Sequence, residues 1–275
     1  MTSQQSQGQA TVPPPVFTRL IAAIAGPAEA ETAIAWVAAL APRLGVPVTL
    51  ATVLDPARQR ESPEVAEALA HDLLALLAAD DRLQGLPVST RVVVGLREEE
   101  LPRLAQALSG ALLAIVGGEH GGLARSLFGE TLDTVLHALR TPVVVLPTRD
   151  GTAASHGDAI VIGVDPGAPA VEATGRAIAA ALGVPAVAVR VVEPGALPPP
   201  AFLATEPVLD AEQIVVRGHA AETLLAGARV RRAGLVVVGA HGAGGLARRS
   251  LGGTASWLAH HADRPVLIVP TGGRP

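Results

Sequence analysis

Gly239-Ala-His-Gly242 and, after nine intervening residues, Gly252-Gly253-Thr254 are the residues in this chain best spaced to hold a charged small ligand. The first two glycines let the backbone turn sharply and approach a ligand without a Cβ in the way. Gly252 then opens a helix, whose unpaired amides and dipole make an anion site that needs no lysine. Gly253 contributes an amide, and Thr254 adds a hydroxyl donor. Asp165 closes the first strand of the same half. That is where ligands bind in open parallel sheets, and its carboxylate can accept from the hydroxyls of a sugar. Together these residues point to phosphate and ribose recognition.

Other chemistries are excluded by residue type. All 21 basic residues are arginines, so a Walker A lysine, a Schiff-base lysine and a kinase-type lysine are ruled out together. Cysteine is absent, which removes disulfides and thiolate metal sites. A net charge of −4 and 2% aromatic residues argue against nucleic-acid binding. His120 and His241 occur in matching loops of both halves and read as structural hydrogen-bonding groups. His260-His261 has no acidic or cysteine cluster at metal spacing. Arg249 is the better phosphate candidate of the pair Arg248-Arg249, because Arg125 matches Arg248 in the other half whereas Ser126 matches Arg249. Glu98-Glu99-Glu100 reads as a charged first helical turn. Trp257 stands within one turn of the anion site and reads as a packing residue that can serve as an optical probe.

These groups need a scaffold of alternating strands and helices. Apolar runs predict strands over 20–26, 46–54, 88–95, 111–117 and 143–146, with helical patterns over 28–44, 62–81, 98–108 and 131–139. The plan recurs as strands over 159–164, 187–192, 213–217, 234–238 and 266–269, with helices over 171–182, 220–231 and 254–261. Such alternation argues for parallel sheets covered on both faces, their Val/Ile/Leu runs buried on both sides. Residues 195–212, rich in proline, replace the long helix of the first half with an irregular crossover. Residues 1–16 read as a disordered tail, 17–149 as a first domain, 150–158 as a linker and 159–275 as a second domain. No apolar run reaches membrane-span length, so the expectation is a soluble, cytoplasmic protein with no membrane partner.

The two halves repeat one unit. Gly-Gly-Leu-Ala-Arg occupies both 121–125 and 244–248, and Gly45-Val-Pro is mirrored by Gly183-Val-Pro. Their last strands, Pro142-Val-Val-Val-Leu-Pro147 and Pro265-Val-Leu-Ile-Val-Pro270, are proline-bracketed ribbons that suit a sheet edge. Bare edges invite pairing. Joining these two inside one chain satisfies both and predicts a pseudo-twofold arrangement. Whether the tandem chain pairs further as a homodimer stays open.

On these residues the sequence resembles the universal stress protein family in its tandem two-domain form, over nearly the whole chain after residue 17. The resemblance implies two Rossmann-like domains of the adenine-nucleotide-hydrolase type, each with a five-stranded parallel sheet. Its ATP-binding subgroup carries Gly-x2-Gly-x9-Gly-(Ser/Thr) and an Asp ending the first strand. Gly239, Gly242, Gly252 and Asp165 match. By the same alignment Val191 and Val238 border the adenine and ribose, and ATP with Mg or Mn carried by its phosphates is the implied ligand. Gly253 departs from the pattern, removing one hydroxyl that is worth roughly 0.5–1.5 kcal/mol.

The first half departs further. Ala25 stands where the family's Asp would be, seven residues instead of nine separate Gly121 from Gly129, and Glu130 replaces the Ser/Thr. A carboxylate about 4 Å from a phosphate repels it by roughly 1–4 kcal/mol. The expectation is one nucleotide per chain, in the second half, with no positioned nucleophile or general base. Such a protein binds and signals, and any hydrolysis is slow. The alternative is a nucleotide-free interaction or chaperone-like scaffold, in which the same glycines only make turns.

Overall fold

A computed structural model describes residues 16–117, 132–138, 140–147, 157–192, 213–241 and 251–271. The first half runs β1 (Arg19–Ala23), α1 (Pro27–Leu44), β2 (Val48–Leu54), α2 (Pro63–Ala78), β3 (Val88–Val94), α3 (Arg97–Ala107), β4 (Ala111–Val116), α4 (Leu132–Ala138) and β5 (Val143–Leu146). The second half runs β6 (Ala159–Gly163), α5 (Pro169–Leu182), β7 (Ala186–Val192), β8 (Gln213–Arg217), α6 (Ala220–Val230), β9 (Ala233–Gly239), α7 (Gly253–His261) and β10 (Val266–Val269). Proline at the first turn starts α1, α2 and α5, where its missing N–H costs nothing. The repeated Gly-Val-Pro is a helix stop: Gly45 and Gly183 cap α1 and α5 in the left-handed region, with φ of 66° and 69°.

One sheet carries both halves, in the order β3-β2-β1-β4-β5-β10-β9-β6-β7-β8. The order reads the same in either direction by role, which is the expected pseudo-twofold. Every pairing between these strands is parallel except β5 with β10, where Val144 faces Leu267 in an antiparallel register. The proline-bracketed strands are therefore edges of their own halves but lie at the centre of the joined sheet. Its outer edges are β3 and β8. This corrects the expectation of strands buried on both sides, since β3 is largely exposed and Val215 on β8 is 47% exposed.

Alternation across the seam feeds two cores. Val143, Val145, Val266 and Ile268 point to one face, and Val144, Leu146, Leu267 and Val269 to the other. Each such side chain stabilises the fold by about 1.5–3 kcal/mol relative to exposure. Helices α3, α4, α6 and α7 contribute residues to the first core, and α1, α2 and α5 to the second. Both cores run through both halves, so the two halves share their apolar packing across the seam.

The helix predicted over 62–81 ends earlier, at Ala78. Asp80 breaks it by accepting from the Arg82 amide at 2.9 Å, which caps a short 3-10 turn, Asp81–Leu83. The irregular crossover expected at 195–212 and the linker at 150–156 lie outside the described residues. Among the described residues no helix is long and apolar enough to cross a membrane.

Candidate functional site

The carboxyl ends of β6, β7 and β9 open into a cavity of about 380 Å³, within the size range of small-molecule sites. Asp165 lies just past β6, Val191 sits near the end of β7, and Val238 and Gly239 end β9. All four line the cavity, and Gly252, Gly253 and Thr254 at the start of α7 form its far wall. Seven of the eight residues singled out from the sequence thus meet around one space. Gly242 lies outside the described residues, as do Arg248 and Arg249.

Asp165 is held in place by its own turn. One carboxylate oxygen accepts from the Gly167 amide at 2.9 Å, and its carbonyl accepts from Ala168 at 2.9 Å. Gly239 is required by close packing: a Cβ there would meet Thr271 Cγ2 at 2.8 Å and the His241 carbonyl at 3.2 Å. The Gly252 amide donates to the Ala240 carbonyl at 2.7 Å, which draws the start of α7 against the end of β9. Gly252, the N-cap of α7, has no side chain to cap it, so among the described residues the first-turn amides beside the cavity have no side-chain partner. The same holds for α6, whose first residue, Ala220, also lines the cavity. Two uncapped helix starts and one carboxylate on a glycine-lined wall suit a ligand with an anionic end and a hydroxylated end.

A model of the universal stress protein family matches residues 17–147 and 200–270. A universal stress protein of Mycolicibacterium smegmatis is 30% identical over 287 aligned positions, covering 88% of this chain and 93% of the relative. The chain belongs to the universal stress protein family. Among solved structures, a universal stress protein from Archaeoglobus fulgidus superposes with a TM-score of 0.75 at 15% identity, covering 93% of this chain and 99% of that one. A Pseudomonas aeruginosa protein of unknown function follows at 0.67 and 16%, covering 93% of each chain.

Within this universal stress protein the two halves differ where a ligand would sit. Arg97 begins α3 as Ala220 begins α6. Burial pushes the Arg97 guanidinium below its usual pKa, opposed by the carboxylates of Asp55, Glu29 and Glu98. Asp55, buried at the end of β2, accepts from the Ala57 amide at 2.9 Å and pairs with Arg58 at 3.3 Å. The helix start that carries the small Ala220 in the second half thus carries a charged side chain, Arg97, in the first. Gly121, Gly129, Glu130 and His120 lie outside the described residues.

Three features were not read from the sequence. His241 lines the cavity, yet both its ring nitrogens are buried and hydrogen-bond nothing among the described residues. This overturns its reading as a structural hydrogen-bonding group. Gly163 at the end of β6 also lines the cavity, and close packing keeps it a glycine, since a Cβ there would meet Leu224 Cδ1 at 2.8 Å. Finally, a second recess of about 390 Å³ lies between the starts of α6 and α7, bordered by His219, Glu222, Thr254 and Trp257. The Trp257 ring stacks on His261, centroids 4.7 Å apart and planes 14° apart. Only its place one turn into α7 was legible beforehand.

Proposed function

We propose that this universal stress protein binds ATP in its second half and acts in stress response by signalling that occupancy. The observation that carries the reading is the uncapped start of α7 facing Asp165 across a glycine-walled cavity. The amides of Gly253 and Thr254 would donate to phosphate oxygens, with Mg or Mn carried on those oxygens, while the Gly252 amide stays on the Ala240 carbonyl. Val191 and Val238 would flank adenine and ribose, and Asp165 would accept from the ribose hydroxyls. Among the described lining residues the only carboxylate of the main cavity is Asp165, and the chain has neither cysteine nor lysine. The protein is then a binder, with hydrolysis slow, and a cytoplasmic location fits a chain that lacks cysteine. Occupancy acts by its differential affinity for alternative conformations or partners. Calorimetric titration with Mg·ATP tests the reading: one site per chain is expected, and no heat at millimolar nucleotide would sink it.

A second reading, a nucleotide-free interaction or chaperone-like scaffold, is favoured by Gly253, which lacks the hydroxyl of the family's ATP-binding pattern. It predicts that Asp165→Ala leaves partner binding intact and that ATP does not move the thermal midpoint.

A further inference from the structure

His241 is fixed by its backbone and unsatisfied at its ring. Its amide donates to Thr271 Oγ1 at 3.0 Å, and that hydroxyl donates back to the His241 carbonyl at 3.1 Å. The neighbouring Ala240 amide donates to the Val269 carbonyl at 2.8 Å, and the Ala240 carbonyl receives the Gly252 amide. The main chain is thus tied on one side to the strand end beyond β10 and on the other to the start of α7. The imidazole, by contrast, has two buried nitrogens and no partner among the described residues. Three other described histidines behave differently. His260 Nε2 meets Asp133 Oδ1 at 3.1 Å, His261 Nδ1 meets the Trp257 carbonyl at 2.8 Å, and His137 meets the Asp133 carbonyl.

Buried polar atoms of native proteins nearly always have partners, and an orphan marks a strain, an unplaced water or a ligand contact. An imidazole can always donate from at least one nitrogen. This one stands in the wall of the cavity bordered by Gly252 and Gly253, the position where the family pattern has a hydroxyl and this chain has none. We infer that His241 is a ligand-contacting residue of this cleft, its ring donating a hydrogen bond to a phosphate oxygen and standing in for the hydroxyl absent at Gly253. The inference rests on the nucleotide reading for the identity of the ligand, but not for the anionic phosphate group that the ring contacts. Thr271 and Gly252 already hold the backbone beside the ring, so a turn of the unpartnered imidazole about its side-chain torsions is what brings a buried nitrogen to the phosphate oxygen.

The test combines ring-nitrogen NMR with affinities on the full chain. With nitrogen-15 histidine, the signals of His241 are assigned by their loss in His241→Gln. Mg·ATP should move them while those of His261, held by the Trp257 carbonyl, stay put. His241→Phe should weaken ATP binding about three- to tenfold. His241→Gln, which keeps a donor, should stay within about threefold. Gly253→Ser should restore part of the loss in His241→Phe. The thermal midpoint separates this role from a structural one: removing an orphan polar group should leave the midpoint unchanged or raised, whereas a structural histidine would lower it. ATP binding with unmoved His241 signals, or at wild-type strength in His241→Phe, overturns the inference and leaves the nucleotide reading standing. If ATP fails to bind but inorganic tripolyphosphate moves the ring signals, the inference stands and the nucleotide reading falls. If neither ligand binds the wild-type chain, both fall. If His241→Phe does not fold, the wild-type spectra decide alone.

Discussion

His260 on α7 reaches Asp133 on α4 across the two halves, Nε2 to Oδ1 at 3.1 Å, and Ser256 Oγ approaches the same oxygen at 3.4 Å. The helix whose start faces the cavity thus clasps the first half at its other end. In this arrangement the first half serves as the surface against which α7 is held. Asp133→Ala should lower stability by about 0.5–1.5 kcal/mol, the net value of a hydrogen bond in a partly buried setting. His260→Ala in that background should cost less than it does alone, because the two side chains share one interaction. Urea melts of the four proteins check this, and strict additivity would show that the contact carries no coupling.

Gly239→Ala should damage the fold as well as the site. The added methyl would lie 2.8 Å from Thr271 Cγ2 and 3.2 Å from Val171 Cγ2, side chains locked by the end of β10 and by α5. Overpacking of this kind typically costs about 1–3 kcal/mol. A thermal melt within a degree of wild type would show that the wall yields more readily than its packing suggests.

Gly253→Ser should have the opposite sign. A Cβ at this position meets nothing within 4 Å, and the residue opens α7 with no side-chain cap beside it. The new hydroxyl would add a donor at the phosphate end, tightening ATP binding about two- to tenfold. Serine also forms helix more readily than glycine, so stability should rise slightly. Calorimetry and a melt on the single variant read both effects, and weaker binding would mean the phosphates lie elsewhere.

How much of this was legible in the sequence follows from range. β5, β8 and β10 carry the predicted bounds because proline or glycine punctuates the apolar runs. Pro169 was read as lying outside α5, although proline suits a first turn, so the predicted start came two residues late. The cavity residues were found because spacing along one strand and one helix encodes them. The recurrence of His241 as His120 suggests a shared structural bond, and only packing shows that its ring makes none among the described residues. Asp133 and His260 stand 127 positions apart, and nothing local announces their contact. Arg97 lies one residue before the predicted helix, which starts at Glu98, and the structure makes it the first residue of α3. Its burial beside Asp55 appears only when β2 and α3 are brought together.

A pH dependence should come from the clamp at Arg82. Its guanidinium donates to Asp80 Oδ2 at 2.8 Å and to Glu31 on α1 at 2.6 Å, which ties the turn after α2 to the second core's helix. The hydrogen bond from Arg82 holds the Asp80 carboxyl at about 2, well under its ordinary 3.8, and lowers Glu31 from 4.5 in the same way. A carboxylate whose folded pKa is depressed contributes stability above its unfolded pKa and loses it as pH falls through the folded value. The contribution of Asp80 is therefore complete above about pH 4 and gone near pH 2. Its size is modest, about 1 kcal/mol or less, because the Arg82 side chain is 38% exposed and Glu31 70% exposed, so solvent screens the clamp. Asp80→Asn should lower the thermal midpoint by a degree or two at pH 6, and the gap should close as the pH is taken from 4 towards 2. A gap that stays constant over that interval would show that Asp80 acts through its cap on the Arg82 amide, which asparagine retains only in part, and not through its charge.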